Sequence, residues 1–347
     1  MLGIRTFKSK GRRCAGTVYR LLRRLRNSLA GQFHTPYSRV YYVVEGRNWS
    51  VSWDGHYISR YVRKLAKVRC MTARSHQGIT RQVVHFGSRN AYLLGGFHDV
   101  HPSNKVVFTW FHGNEKDTVP DNQYMISKLP ECIPHVEKVV TSSSIGKRRL
   151  ASWGVPESKI AVIPLGIDLA RFQPGNQFQR SRMRAKIGIP DNAICIGSFQ
   201  KDGVGWEEGM EPKMIKGPDI FLQVMERLTG RYRLFVLLTG PARGYVKRGL
   251  ETLGIPYSHH YLKNYLDIVR YFHCLDLYLV TSRDEGGPKA ILECMATGVP
   301  IVSTRVGMAQ DLITTDENGY LTDIENTDSI AEAASRLCEQ PELREHY

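Results

Sequence analysis

From residue 40 onward the chain alternates two kinds of pattern. Short runs rich in β-branched and aromatic residues, at 40–44, 68–71, 82–85, 105–110 and 139–142, read as buried strands. Between the first two runs, residues 56–65 place Tyr57, Ile58, Tyr61, Val62 and Leu65 on one side, the spacing of a helix. A second series predicts strands at 193–198, 234–239, 275–280 and 300–304 and helices at 219–228, 265–272 and 288–296. Such alternation implies parallel strands with crossover helices, so the predicted class is α/β with two Rossmann-like domains. The 347 residues are about twice a common domain length, which agrees with two domains. Their bounds are read as 36–175 and 190–340, and the Arg-, Gln-, Gly- and Pro-rich stretch 172–190 as the connection between them.

Residues 1–35 stand apart. Val18, Leu21, Leu22, Leu25 and Leu29 recur at helical spacing with Arg20, Arg23, Arg24 and Arg26 between them, a basic amphipathic segment suited to an anionic membrane surface. Charge supports a division of the chain: residues 1–30 carry +9, residues 31–175 again +9, and residues 176–347 carry −3. Nucleic acid is not the expected partner, because no aromatics are interleaved with the basic arm to stack on bases. No apolar run reaches the length of a membrane span, and no apolar stretch follows the N-terminal charges as a secretory signal would require. The seven scattered cysteines include no CxxC pair and read as reduced thiols of a cytoplasmic protein, peripheral at the inner face of a membrane. His98 and His101 are read as loop histidines, and no metal site is expected.

Residues 281–300 are the richest in chemistry. The segment opens at the carboxyl end of a predicted strand, where parallel α/β sheets place ligands. Gly286 and Gly287 permit close backbone approach, Pro288 suits the first position of a helix, and Gly298 followed by Pro300 suits its stop. The resulting strand, glycine-rich turn and helix direct amides and a positive helix end at whatever lies above the turn, for which diphosphate is the natural guest. Glu285 in the turn and Glu293 inside the helix are better matched to hydroxyl groups of ribose or sugar than to phosphate. The competing assignments are a helix N-terminal charge for Glu285 and a solvated face for Glu293.

This segment resembles the Glu-x7-Glu motif of family-4 glycosyltransferases, retaining enzymes of the GT-B fold. Other pieces follow in order. Residues 163–168 (Ile-Pro-Leu-Gly-Ile-Asp) with Phe172 and Pro174 are similar to the family's Pro-Asn-Gly-(Ile/Val)-Asp…Phe-x-Pro signature, with Leu165 in place of Asn. Lys216, Gly217, Pro218 and Asp219 are similar to its Lys-Gly-x-Asp helix start, and Phe111, His112 and Gly113 to its N-domain His-Gly. Residues 142–144, Leu150, 154–156 and 159–160 resemble its run into the interdomain crossing. The resemblance spans roughly residues 38–340.

The resemblance implies two domains facing each other across a cleft, with a nucleotide-sugar co-substrate on the C-terminal domain and the acceptor, a glycan or glycolipid, held mainly by the N-terminal one. Glu293 would take the ribose hydroxyls, Glu285 the donor-sugar hydroxyls, and the backbone around Gly286, Gly287, Pro288 and Lys289 would turn its free amides toward sugar and diphosphate. Lys216 would neutralise the leaving diphosphate, and His112 would hydrogen-bond the donor sugar. No metal or other cofactor is implied, because lysine and helix ends can stabilise the developing charge and the chain has no Asp-x-Asp motif. The departing phosphate would accept the acceptor proton, so that the configuration is retained without an enzymic nucleophile. Glu285 and Glu293 are thus not a hydrolase-type carboxylate pair. Base recognition is expected near 260–263.

Three departures stand out. Where the family has Gly-Arg after the first C-domain strand, this chain reads Gly197, Ser198, Phe199, Gln200, Lys201, which leaves Ser198, Lys201 and Lys213 as candidates for the phosphate. The adjacent glycines of the first N-domain turn are replaced by an aromatic stretch, 46–55, in which Ser52, Asp54 or Gly55 could approach a donor and Trp49 and Trp53 a sugar. The chain also stops soon after Leu337, where family members often continue into a helix that crosses back. Polysaccharide biosynthesis is the expected context. The rival readings are a non-catalytic GT-B sugar- or partner-binding subunit and a GT-B sugar-nucleotide epimerase or phosphorylase.

Overall fold

The computed structural model describes residues 35–45, 50–115 and 120–347. The basic segment 1–35, all but its last residue, and Trp49 lie outside the described residues. The chain divides into two compact units, the first containing residues up to Thr141 and Lys147–Ile163, the second Ser142–Gly146 and Pro164–Tyr347.

The first unit holds six strands: β1 (Arg39–Val43), β2 (Arg69–Ala73), β3 (Val83–Phe86), β4 (Lys105–Thr109), β5 (Lys138–Thr141) and β6 (Ile160–Val162). All pair in parallel, in the order β2-β1-β3-β4-β5-β6. One face packs Val84, Phe86, Val106, Phe108 and Val139 against Tyr92, Met125, Leu129 and Leu150. The helix expected at 56–65 begins earlier and spans Ser50–Leu65. The stretch expected as a ligand-facing loop is therefore largely helical. Asp54 is buried, a side chain at Gly55 would collide with Tyr42 and Val44, and Ser52 Oγ donates to the Glu45 carbonyl at 3.0 Å.

The second unit repeats the architecture with β7 (Ile194–Phe199), β8 (Leu234–Thr239), β9 (Tyr257–His260), β10 (Leu277–Val280), β11 (Ile301–Thr304) and β12 (Tyr320–Thr322). The order is β12-β11-β10-β7-β8-β9, again all parallel. β8 shows why its apolar run is continuous rather than alternating. Leu234, Val236 and Leu238 meet the helices Pro218–Leu228, Gly244–Thr252 and Thr327–Glu339 on one face, while Phe235 and Leu237 meet Phe272 and Ile291 on the other. A parallel sheet covered on both faces buries every side chain of its central strands.

The stretch expected as a connection is instead part of the second unit. Residues Gln177–Ile187 form a helix with an Asn176–Gln179 capping box at its start and Gly188 in the left-handed region at its end. Arg180 and Arg184 reach from it to Asp276 at 2.6 and 3.1 Å, and Asp276 in turn accepts from the Cys195 amide of β7 at 2.7 Å. Truncating Asp276 leaves the buried Arg184 without its anion. Asp276→Ala is expected to cost about 3–5 kcal/mol, read as a lowered urea midpoint, whereas an unchanged midpoint would make the network ornamental.

In the first unit, His85 packs its ring 4.6 Å from Tyr42 and lies 2.9 Å from Thr109 Oγ1. Burial lowers its pKa from 6.5 to about 4. The unfolded chain therefore takes up a proton near pH 6.5 that the folded chain refuses until about pH 4. The stability His85 contributes is present above pH 6.5 and drains away as pH falls toward 4, by about 2–3 kcal/mol. Unfolding the protein across that range should show the slope, and His85→Gln should flatten it.

Candidate active site

In the second unit the strand order reverses between β7 and β10, since β7 leads on to β8 and β9 on one side and β10 to β11 and β12 on the other. The crevice at the carboxyl ends of such a strand pair is where an open α/β sheet binds ligands. The segment after β10 and the one between β7 and the Pro218–Leu228 helix both start there.

These two segments are stitched together. Gly217 sits at φ +61 against the Thr281 carbonyl, where any side chain would overlap the oxygen, and Thr281 Oγ1 donates back to the Gly217 carbonyl at 2.9 Å. The Arg283 amide donates to Ile215 at 2.9 Å, and its guanidinium reaches Met214 at 2.7 Å. The same guanidinium grips Asp219 through both carboxylate oxygens at 2.8 and 2.7 Å and Glu325 at 2.6 Å. Its carboxylate partners hold its pKa above the ordinary arginine value, so its charge is permanent. Asp219, known from the sequence only as a helix-start residue, thus owes its place to Arg283, which sequence reasoning passed over although it lies inside the 281–300 segment.

The stitch delivers Lys216 to Glu285. Lys216 Nζ pairs with Glu285 Oε1, and Ser282 Oγ donates to the same oxygen at 3.1 Å. Glu293 lies in the Lys289–Ala296 helix and is 2% exposed, so a solvated position for it is ruled out. Pro288 stands just outside the helix, with no side chain capping the first turn. The Gly286 carbonyl accepts from Ser142 Oγ at 2.7 Å, and a side chain at Gly287 would crowd Ser142 and Met308. Lys289 Nζ lies 6.0 Å from the Tyr265 ring. Cys294, beside Glu293, is fully buried with its thiol pushed well above the ordinary value, which makes it inert.

The candidates after β7 fare differently. Ser198 is buried, and its hydroxyl accepts from Arg243 at 3.0 Å. Arg243, itself inaccessible, ion-pairs with buried Asp202 at 2.9 Å. It also donates to the carbonyls of Ser198, Gln200 and Thr239 at 2.6, 3.1 and 2.9 Å. Burial raises Asp202 and lowers Arg243 from their ordinary values, and their mutual attraction opposes both shifts. Lys201 places its ammonium 4.2 Å from the Trp206 ring, and exposed Lys213 donates its amide to the Asp202 carbonyl at 2.7 Å. The turn expected to read the base follows β9, where His260 lies 5.1 Å from the Tyr271 ring and 2.8 Å from Ser258 Oγ.

Lys216, Glu285 and Glu293 therefore belong to one unit, while His112 belongs to the other, just past β4. There Gly113 at φ +104 leaves room for Arg89, whose guanidinium lies 4.6 Å from the Trp110 ring. A cavity of about 600 Å³ in that first unit is lined by His98, His101, Glu131, His135 and Lys159. It opens at the amino ends of β4, β5 and β6, the wrong end of the sheet for a ligand site of this class. Among the described residues no group of His, Cys, Asp and Glu is arranged to hold a metal ion, and no helix is long and apolar enough to cross a membrane.

Comparison with known proteins bears on this arrangement. The model of the family described as glycosyl transferases group 1 matches residues 211–347, and that of Glycosyltransferase Family 4 matches residues 77–171. The chain is 28% identical over 200 residues to the D-inositol 3-phosphate glycosyltransferase of Corynebacterium urealyticum, covering 54% of this chain and 45% of that one. It is 27% identical over 210 residues to the lipopolysaccharide core biosynthesis mannosyltransferase LpsB of Rhizobium meliloti, covering 58% of this chain and 56% of that one. The chain spans about half the length of the curated relatives it matches. Its fold is similar to that of Anabaena HepE in complex with UDP, with a TM-score of 0.68 at 15% identity over 89% of this chain and 92% of that one. A glycosyltransferase from Rickettsia africae is similar at a TM-score of 0.64 and 16% identity, over 90% and 91% of the two chains. With one glycosyltransferase family model on each half, in order along two parallel α/β units, the chain matches the group 1 glycosyltransferases over residues 211–347 and has the GT-B fold.

Proposed function

We propose that the protein is a retaining glycosyltransferase that moves a sugar from a nucleotide-sugar donor to a glycan or glycolipid acceptor without a metal ion. The observation that carries this reading is the Lys216–Glu285 pair held at the switch point of the second sheet, beside a helix that buries Glu293. Lys216 and the start of the Lys289–Ala296 helix supply positive potential for a leaving diphosphate, the task a divalent ion performs elsewhere. Glu285, oriented by Ser282 and Lys216, accepts hydrogen bonds from donor-sugar hydroxyls. Glu293 does the same for the ribose. Neither carboxylate attacks carbon: the acceptor oxygen enters on the face the diphosphate leaves, and its proton passes to the departing phosphate oxygen.

The UDP bound in HepE supports trying UDP first. The basic first half of the sequence supports an acceptor at an anionic membrane face.

Calorimetric titration with UDP, GDP, ADP and CDP should show binding of one of them. Glu293→Gln, close in shape, should weaken it about tenfold, or about 1.4 kcal/mol. Lys216→Ala should lower kcat by about 10²–10³ with the donor's nucleotide still bound. Proton NMR of the product should show the donor's anomeric configuration kept. Absence of binding by any nucleotide sinks the reading, and inverted product sinks the mechanism.

A further inference from the structure

The segment after β7 is longer than a turn requires, and it builds an exposed aromatic tip. Gly203 bridges Pro212 across an antiparallel pair, Val204 N donates to the Glu211 carbonyl at 2.9 Å, and Lys213 N closes on Asp202 at 2.7 Å. The base of this hairpin is fixed. Gly203 and Gly209 press on Ala242 where a side chain would overlap backbone, and the amides of Gly244 and Tyr245 donate to Glu208 and Gly209 at 2.6 and 3.1 Å. Asp202, at the foot of the first leg, is clamped by buried Arg243.

A hairpin held this firmly nevertheless turns its apolar side chains outward: Trp206 is 51% exposed, and Val204, Met210 and Met214 are exposed with it. A fixed loop that spends apolar side chains on water marks a contact surface. Its second leg runs directly into Lys216, which places it on the rim of the candidate active site. Lys201 lies over the Trp206 ring and holds it in place. Glu207 and Glu208 follow Trp206 in the chain and Glu211 lies on the second leg, all exposed, and Glu208 Oε1 lies 3.9 Å from Lys247 Nζ.

Glu207 and Glu211 disfavour a diphosphate and an anionic lipid surface beside the ring, and they accept hydrogen bonds from hydroxyl groups. A pyranose offers both halves of the match, a face of C–H groups for the indole and a rim of hydroxyls for the carboxylates. We infer that the Trp206 hairpin is a carbohydrate platform on which a neutral pyranose ring of the acceptor stacks. This inference rests on the transferase reading for its acceptor and extends that reading to a site on the second unit.

The test labels the protein with 5-fluorotryptophan and assigns the Trp206 signal among the five tryptophans with Trp206→Phe. Methyl glucoside, mannoside and galactoside are titrated with UDP, GDP, ADP and CDP present in turn, then each nucleotide alone, then vesicles containing anionic lipid. A shift of the Trp206 signal with at least one glycoside is expected, with affinity lowered about tenfold in Trp206→Ala and nucleotide binding unchanged. Movement of the signal with nucleotide alone would assign the ring to the donor base and overturn the platform. Movement with vesicles would assign it to a membrane and overturn it as well, and so would no movement with any glycoside. Calorimetry on the same samples separates the two failures, because nucleotide binding that survives while the glycoside shift is missing removes only the platform, and loss of all nucleotide binding removes the donor reading.

Discussion

Gly217 and Thr281 approach so closely that only a glycine fits, and the order of the candidate site follows from that contact. Lys216 precedes it by one residue and Glu285 follows it by four. The Thr281 hydroxyl closes the contact from one side, and the Arg283 grip on Met214, Ile215 and Asp219 closes it from the other. Two loops from different strand ends are thereby made one body. Without the stitch, the ammonium and the carboxylate would be long side chains on separate loops, and ordering them would cost the entropy that exposed ion pairs fail to recover.

The pair so formed is balanced for exchange. Lys216 and Glu285 are mostly withdrawn from water, so each needs its partner while nothing else is bound. On the proposed reading, an incoming diphosphate competes with Glu285 for the ammonium, and Glu285 is left with the Ser282 hydroxyl and the sugar's own hydroxyls. The charge that stabilises the protein's resting loops thus becomes available where negative charge develops. This is more effective than a cation drawn from solvent, because the surrounding backbone needs no rearrangement.

The two parallel sheets were legible because buried parallel strands read as continuous apolar runs, as in Leu234–Thr239, which matches its predicted bounds. The edges were not. β6 has three residues and β9 is Tyr-Ser-His-His, half-buried throughout, so neither carries a pattern that composition alone can detect. The Gln177–Ile187 helix was hidden because beside Met183 and Ile187 its contacts are made by Arg180 and Arg184, whose stems pack while their heads pair, and the sequence pattern registers only their polarity. In the site, the turn, the helix and the carboxylates were readable from spacing. Arg283 was not, since a single arginine in a loop gives no sign of the two segments it joins. Glycine was read as room for a ligand, and at Gly287 a side chain would in addition crowd Ser142 and Met308.

Arg243 stands at the end of β7, where the resemblance led to an expected arginine that this chain does not have. Its guanidinium is inaccessible and committed on every side: to Asp202, to the Ser198 hydroxyl, and to three carbonyls at the carboxyl ends of β7 and β8. It is not a replacement ligand, because no donor can be withdrawn without stranding a buried carboxylate or carbonyl. What it supplies is rigidity. By binding the Ser198 and Gln200 carbonyls it fixes the backbone where β7 ends, and through Asp202 it fixes the foot of the Trp206 hairpin. On the proposed reading, a phosphate at this crevice is met by amides and by lysines, and of the lysines at this strand end Lys201 already leans on Trp206. The cation delivered to the opposite loop is Lys216, and on the proposed reading that one residue does the work a pair of cations would otherwise share.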